Sequence, residues 1–328
     1  MSAPARLHGL DALRGIAALL VVGLHAQAVF HHPHSWFSRG YLAVDFFLML
    51  SGYLMARITE PRLAAGLGAG RFMRARYRRF WPMMALGMAI GIPFAWARAG
   101  DWQTFLPLFI ANMALLPWPF DRVLFALNIP AWTIFFELLA NGLHVVLLRR
   151  LGNRALSLVA LALGAATIWV AMTWGSLDLG ARPSNVWPAF PRVLFAYTLG
   201  ILLWRWLGDR PVRPIPVWLA LVAMPLAVVG SHALGWKTWQ FDLAFVMLLC
   251  PAVILGAQGL ARETRAVWLS AAVSFPLFAL HLPILEAMRE LGFAWQPALA
   301  AAFAAALGVT WWTNRPARRM AKPTIKGG

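Results

Sequence analysis

Acidic residues are scarce in this chain. Of its 328 residues only 12 are Asp or Glu, against 29 Lys and Arg, and charged residues of both signs make up 12%. Soluble globular domains carry about twice that share, which excludes an ordinary cytosolic enzyme and a charge-rich disordered regulator. Cysteine is nearly absent as well. The single Cys250 excludes an internal disulfide and, lying in an apolar run, says nothing about compartment. Lysine is confined to Lys237, Lys322 and Lys326, so almost all positive charge is guanidinium, a planar cation suited to gripping anions. No fixed-period repeat is visible. No cleavable secretory signal is expected either, because the first apolar run contains a histidine and nothing after it reads as a cleavage site.

What the chain has in abundance is apolar surface. Hydrophobic residues make up 61% of it, and a bilayer-crossing helix needs about 20 mostly apolar residues, which allows roughly ten spans. The runs are continuous rather than alternating, which argues against an outer-membrane barrel. An all-α polytopic integral membrane protein is the expected fold class.

Apolar runs bounded by charge and proline fall at 12–30, 41–56, 80–97, 104–118, 130–148, 155–174, 190–206, 216–231, 239–258, 268–288 and 293–313. Segment 57–79 carries Arg57, Arg62, Arg71, Arg74, Arg76, Arg78 and Arg79 against Glu60 alone, and such loops stay in the cytoplasm. If all the runs cross, the Arg149, Arg150, Arg154 cluster and the Arg315, Arg318, Arg319 tail fall outside. If the short, proline-flanked 104–118 run is re-entrant or interfacial, every basic cluster lies inside. About ten transmembrane helices, one extra re-entrant or interfacial helix and two cytoplasmic termini are therefore predicted, in one membrane domain over residues 1–328 with no fused soluble domain. The net charge of +17 then records orientation in a lipid bilayer, and nucleic acid is not expected as a partner.

Ionisable side chains inside spans are costly, so each is a functional candidate. His25 lies eleven positions after Arg14 in the first span, about 16 Å further along a helix. Glu137, in PAWTIFFELLANG, and His25 come to a similar depth by counting residues from their helix ends. A carboxylate facing an imidazole there would orient a general base; the alternative is two separately satisfied buried groups. Asp45 begins the second span, and Ser51-Gly52 follows it as a close-packing pair rather than a nucleophile elbow. His281 sits between Pro276 and Pro283, where freed carbonyls can be satisfied by the histidine or can line a cavity. Arg76 and Arg79 share a helix face able to hold a phosphate, although a row of arginines also follows from orientation alone. The His31, His32, His34 run lacks further ligands, and no metal site is assigned.

Five segments together resemble the acyltransferase-3 superfamily of membrane acyltransferases. They are the Arg14-x10-His25 first span, VDFFLMLSGYL, RARYRRFWP, WTIFFE and FPLFALHLPI, in order along nearly the whole chain. The resemblance implies transfer of an acyl group, most often acetyl, from cytoplasmic acyl-CoA to a hydroxyl of a carbohydrate or similar acceptor, in a bacterial inner membrane. It implies acyl-CoA as co-substrate with no tightly bound cofactor, and a glycan or lipid-linked saccharide as acceptor. By the same resemblance His25 and Glu137 are catalytic, while Arg14, Arg76 and Arg79 bind acyl-CoA. Asp45, Ser51, Trp132, Thr133 and His281 are possible supporting residues. Where many relatives end in Glu-x-Pro, this chain has Asn314-Arg315-Pro316, and nothing functional is assigned there. The rival expectation is a proton-coupled transporter with His25 and Glu137 as a relay, although paired broken helices or repeats are not seen.

Overall fold

The computed structural model describes residues 6–32, 36–208, 210 and 212–320, the side chains of 315–320 excepted, and all its regular elements are helical. His34, the side chains of Arg315, Arg318 and Arg319, and Lys322 and Lys326 lie outside the described residues. The helices are α1 (His8–Val29), α2 (Gly40–Ala64), α3 (Ala69–Ala99), α4 (Trp102–Met113), α5 (Ala131–Arg150), α6 (Asn153–Trp174), α7 (Pro183–Leu207), α8 (Val217–Ala233), α9 (Trp239–Ala257), α10 (Arg265–Glu290) and α11 (Trp295–Met320). Eight of these are long and apolar enough to cross a membrane, and α8 is a shorter apolar helix. The chain is a polytopic integral membrane protein.

The 104–118 run differs from the others. Its helix α4 has 12 residues, about 18 Å, well short of a hydrocarbon core of about 30 Å. Asp101 caps it by accepting a hydrogen bond from the Thr104 amide at 2.8 Å. The helix runs antiparallel to α3: Trp96 meets Trp102 and Phe105 at one end, and Trp81 Nε1 donates to the Met113 carbonyl at the other, 2.8 Å away. Asn112 then holds the returning chain, donating to the Leu124 carbonyl at 3.1 Å and accepting from the Leu127 amide at 3.2 Å. The run therefore folds back between α3 and α5, leaving ten other helices among the described residues, of which eight are long and apolar enough to cross and α8 is shorter.

Basic segments far apart in sequence meet at shared ends of the bundle. Arg205 donates to Glu60 and to the Leu151 carbonyl, each at 2.7 Å, which brings together the ends of α2, α5 and α7. Arg6 pairs with Glu263 at 2.8 Å, which joins the start of α1 to the loop before α10.

Helices α2 and α7 touch backbone to backbone. A Cβ on Gly52 would lie 2.0 Å from the Tyr197 carbonyl oxygen, and one on Gly200 would lie 1.9 Å from that of Met49. Small residues permit this approach in lipid, where packing rather than hydrophobic transfer holds helices together. The approach also sets Asp45 against Arg192, two oxygens to two nitrogens at 2.8 and 2.6 Å, with neither side chain more than 1% exposed. Arg192 completes its bonding on the Leu179 and Tyr41 carbonyls. Asp45 is thus the anion of a structural pair and not a supporting site residue. A second pair, Arg39 with Asp242 at 2.6 Å, is sealed by the Tyr41 hydroxyl, which donates to Asp242 at 2.7 Å.

Removing one member of a buried pair strands the other charge. Asp45→Ala is therefore expected to destabilise the protein by about 3 kcal/mol. Joint replacement of Asp45 and Arg192 by Leu should recover part of that loss. Unfolding of the detergent-solubilised proteins measures both, and an Asp45→Ala protein as stable as the parent would remove the structural role.

A proline in α10 recruits a partner from another segment. Pro276 and Pro283 have no amide to give the carbonyls of Ala272 and Ala279 four residues earlier. Asn128 Nδ2 donates to the second at 2.8 Å, whereas Thr310 Oγ1 of α11 donates to the Ala306 carbonyl of its own helix at 2.7 Å and lies 3.4 Å from the first. The carbonyl that Pro283 frees is thus taken by Asn128, while His281 bonds two others.

Candidate active site

Helices α1, α2, α3, α5 and α10 enclose a cavity of about 500 Å³. Its polar lining includes Arg14, Ser51, Arg62, Arg71, Arg76, Arg79, Thr133 and Glu137. Arg62 and Arg71 are exposed, whereas Arg14 and Arg76 are partly buried. Helix α2 makes a π-helical turn over Met55–Thr59, and Met55, Ile58 and Thr59 line the wall. Such turns recur at functional sites because they change which side chains a helix presents.

Charge in the cavity is strongly one-sided. Five arginines and one glutamate leave four net positive charges. Glu137 Oε1 accepts from Ser51 Oγ at 2.9 Å and from Arg76 Nη2 at 3.2 Å, so the lone carboxylate is already spent on Arg76. Arg76 Nε is buried with no partner. Among the described residues Arg14, Arg62, Arg71 and Arg79 have no side-chain hydrogen bond or ion pair. Four guanidiniums left to line one cavity favour a polyanionic ligand.

His25 does not face Glu137. Its Nδ1 lies 2.8 Å from His281 Nε2 instead. Equal depth, counted along two helices, says nothing about azimuth. Helix α1 packs along α10, with Ser270 Oγ donating to the Ala12 carbonyl at 3.2 Å, and this turns His25 towards α10. Glu137 looks from α5 to α2 and α3. The expected His25–Glu137 dyad is therefore replaced by a His25–His281 dyad.

The hydrogen-bond network assigns the tautomers. His281 Nδ1 lies 2.8 Å from the Phe278 carbonyl and 3.0 Å from that of Leu277. Carbonyls only accept, so this nitrogen carries the proton. In a neutral imidazole Nε2 is then an acceptor, and it takes the proton donated by His25 Nδ1. His25 Nε2 keeps a free lone pair, which is the state a general base requires.

The dyad is not in the cavity lining. Phe278, which does line it, stands with its ring centroid 6.1 Å from that of His281 and 6.2 Å from that of Phe47, a second lining residue. Cavity and dyad are thus neighbours separated by aromatic rings.

The structure brings Arg14, Arg76, Arg79, Ser51, Thr133 and Glu137 into one cavity and sets His25 and His281 just beyond it. Thr133 Oγ1 donates to the Pro130 carbonyl at 2.9 Å, fixing the start of α5. Trp132 does not line the cavity. It packs edge-on against Phe136 and over Gly180, a role in the core rather than at the site. Arg62 and Arg71 were not singled out by spacing because nothing in a basic loop distinguishes the arginines that turn inward. Phe47 and Phe278 are apolar residues in apolar runs and give no signal at all.

Comparison with known proteins agrees with the geometry. A family model described as an acyltransferase domain matches residues 7–315. Protein 2 in the picA locus of Rhizobium radiobacter is 32% identical over 193 residues, covering 52% of this chain and 96% of that protein. The exopolysaccharide production protein ExoZ of Rhizobium meliloti (strain 1021) is 26% identical over 281 residues, covering 82% of this chain and 83% of that protein. No solved structure matches the chain.

Proposed function

We propose, from the premise that this chain belongs to the acyltransferase-3 family, that it moves an acetyl or similarly short acyl group from cytoplasmic acyl-CoA to a hydroxyl of an extracytoplasmic glycan. The name of the ExoZ relative points to a polysaccharide or its lipid-linked precursor as acceptor. The orientation belongs to the proposal too: the basic ends of the bundle face the cytoplasm of a bacterial inner membrane, as do both termini.

One observation carries this reading, namely a cavity with four unpaired arginines whose aromatic head adjoins a His–His dyad. The phosphates of CoA would be held by Arg62, Arg71 and Arg79 at the mouth and by Arg14 and Arg76 within. The pantetheine arm would then carry the thioester to the aromatic head of the cavity, beside which the dyad lies. His25 Nε2 takes the proton of the acceptor hydroxyl as its oxygen attacks the thioester carbonyl carbon. The C–S bond breaks, and the departing thiolate receives that proton from His25. Glu137 takes no proton in this scheme. It holds Arg76 and Ser51 in place at the cavity wall.

The transporter reading loses its main support, since a His25–Glu137 relay is not formed. The deciding experiment is transfer of radiolabelled acetyl from acetyl-CoA into glycan by inverted membrane vesicles, with mass spectrometry of surface glycans from cells with and without the protein. Absence of both the label and any acetyl difference would sink the proposal.

The arginines separate by their partners. Arg79→Gln removes only a ligand contact, so acyl-CoA affinity should fall about 10-fold or more while stability holds, because a charge-assisted hydrogen bond contributes about 1.5–3 kcal/mol. Arg76→Gln should show the same loss together with reduced thermal stability, because it also deprives Glu137 of its cation. Calorimetric titration with acetyl-CoA beside a melting curve distinguishes them. Unchanged affinity in both variants would return the arginine row to an orientation signal only.

A further inference from the structure

We infer that Phe47 and Phe278 form the acyl-end wall of the donor cavity and that this wall restricts the protein to short acyl thioesters. The inference rests on the proposed acyl-CoA function and adds a determinant of donor choice. Both rings line the cavity, together with Val44 and Ile134, whereas every arginine of the site other than Arg14 comes from α2 or α3 at or near the 57–79 segment. A thioester whose phosphates sit among those arginines therefore presents its acyl end to the apolar head.

The wall is backed on its far side. Phe278 meets Phe47 at 6.2 Å between centroids, with the ring planes 68° apart, and its opposite neighbour is the His281 ring at 6.1 Å. The Phe278 carbonyl also accepts from His281 Nδ1 at 2.8 Å. Phe278 is 6% exposed, and the side away from Phe47 is occupied by the His281 ring. A longer acyl chain would have to drive that ring into the imidazole pair, disturbing the hydrogen bond that sets the tautomer of His25. Length is thus read through the dyad itself. A close-packed interior resists such displacement, and a pocket built for a small group discriminates about 10- to 200-fold per added methylene.

The test needs no acceptor. Purified protein is titrated with CoA, acetyl-CoA, butyryl-CoA and hexanoyl-CoA, first as wild type and then as Phe47→Ala, a variant chosen because Phe47 makes no hydrogen bond to the dyad. Wild type should bind butyryl-CoA at least about 10-fold more weakly than acetyl-CoA. Phe47→Ala should shrink that ratio by about 10-fold and leave the affinity for CoA itself unchanged. If Phe47→Ala does not fold, Phe47→Leu and Phe278→Leu widen the wall less and should shrink the ratio by about threefold each. Equal binding of acetyl- and butyryl-CoA by wild type overturns the inference, and so does an unaltered ratio in a folded variant. Failure of wild type to bind CoA or any thioester is a different result, because it removes the donor site and with it the proposed function.

Discussion

His25→Ala is expected to abolish acyl transfer while acyl-CoA binding stays within about twofold of wild type, because the arginines that hold the nucleotide lie elsewhere. Loss of a positioned general base lowers turnover by about 10²–10⁴-fold, and the upper part of that range applies if no other lone pair reaches the acceptor hydroxyl. The ionisable residues deeper in the cavity are no substitute: Glu137 is bound to Arg76 and Ser51, and the guanidiniums of Arg14 and Arg76 are poor bases. Alanine suits an interior helical position such as 25 in α1, so the helix itself should persist. The variant does leave His281 Nε2 without a donor, and a modest drop in melting temperature should accompany the catalytic loss. Titration with acetyl-CoA, set beside label transfer into glycan, reads both quantities. Near-normal turnover would make the imidazole structural and would overturn the mechanism. Loss of binding together with turnover would show that the substitution had damaged the donor cavity as well.

How much of this was legible in the sequence depends on what each feature requires. Apolar runs of the right length and the placement of basic clusters foretold the helices, and even the odd behaviour of 104–118, because length alone decides whether a segment can cross. Depth was legible in the same way. Arg14 and His25 are separated by a helical rise that no packing detail alters, and the structure indeed puts one in the cavity and the other beyond its head. Azimuth was not legible. The partner that a buried group faces depends on which helices are neighbours, and neighbours are set by contacts such as Gly52 against Tyr197 and Gly200 against Met49 between α2 and α7, far apart in the chain. Hence Asp45 found Arg192, Glu137 found Arg76, and His25 found His281. His281 was singled out with its flanking prolines, but the proline argument pointed at freed carbonyls. The structure gives the one freed by Pro283 to Asn128, and the histidine bonds two others.

His281 carries the second large effect. It does not itself line the cavity and meets it only through Phe278, so it acts through His25 as a positioning residue. Two things follow from its bonds. The carbonyls of Leu277 and Phe278 hold its Nδ1 proton, which forces Nε2 to accept, and Nε2 in turn holds the proton of His25 on Nδ1. Without that acceptor the Nδ1 proton of His25 loses its side-chain partner, and a base in the wrong tautomer is inert. Loss of an orienting partner costs up to about 10⁴-fold where it has been measured in a comparable arrangement. His281→Leu is expected to lower kcat by about 10³-fold with KM for acyl-CoA little changed, because the arginine contacts survive. A purely structural histidine predicts something else, a loss that follows stability and spreads over kcat and KM alike. His281→Gln separates the two readings. Its side-chain oxygen can accept from His25 Nδ1, so it should recover part of kcat even where it melts no higher than His281→Leu. Equal turnover in the Leu and Gln variants at equal stability would mean that His281 only fills space. The imidazole of His25 would then take its tautomer from some other group.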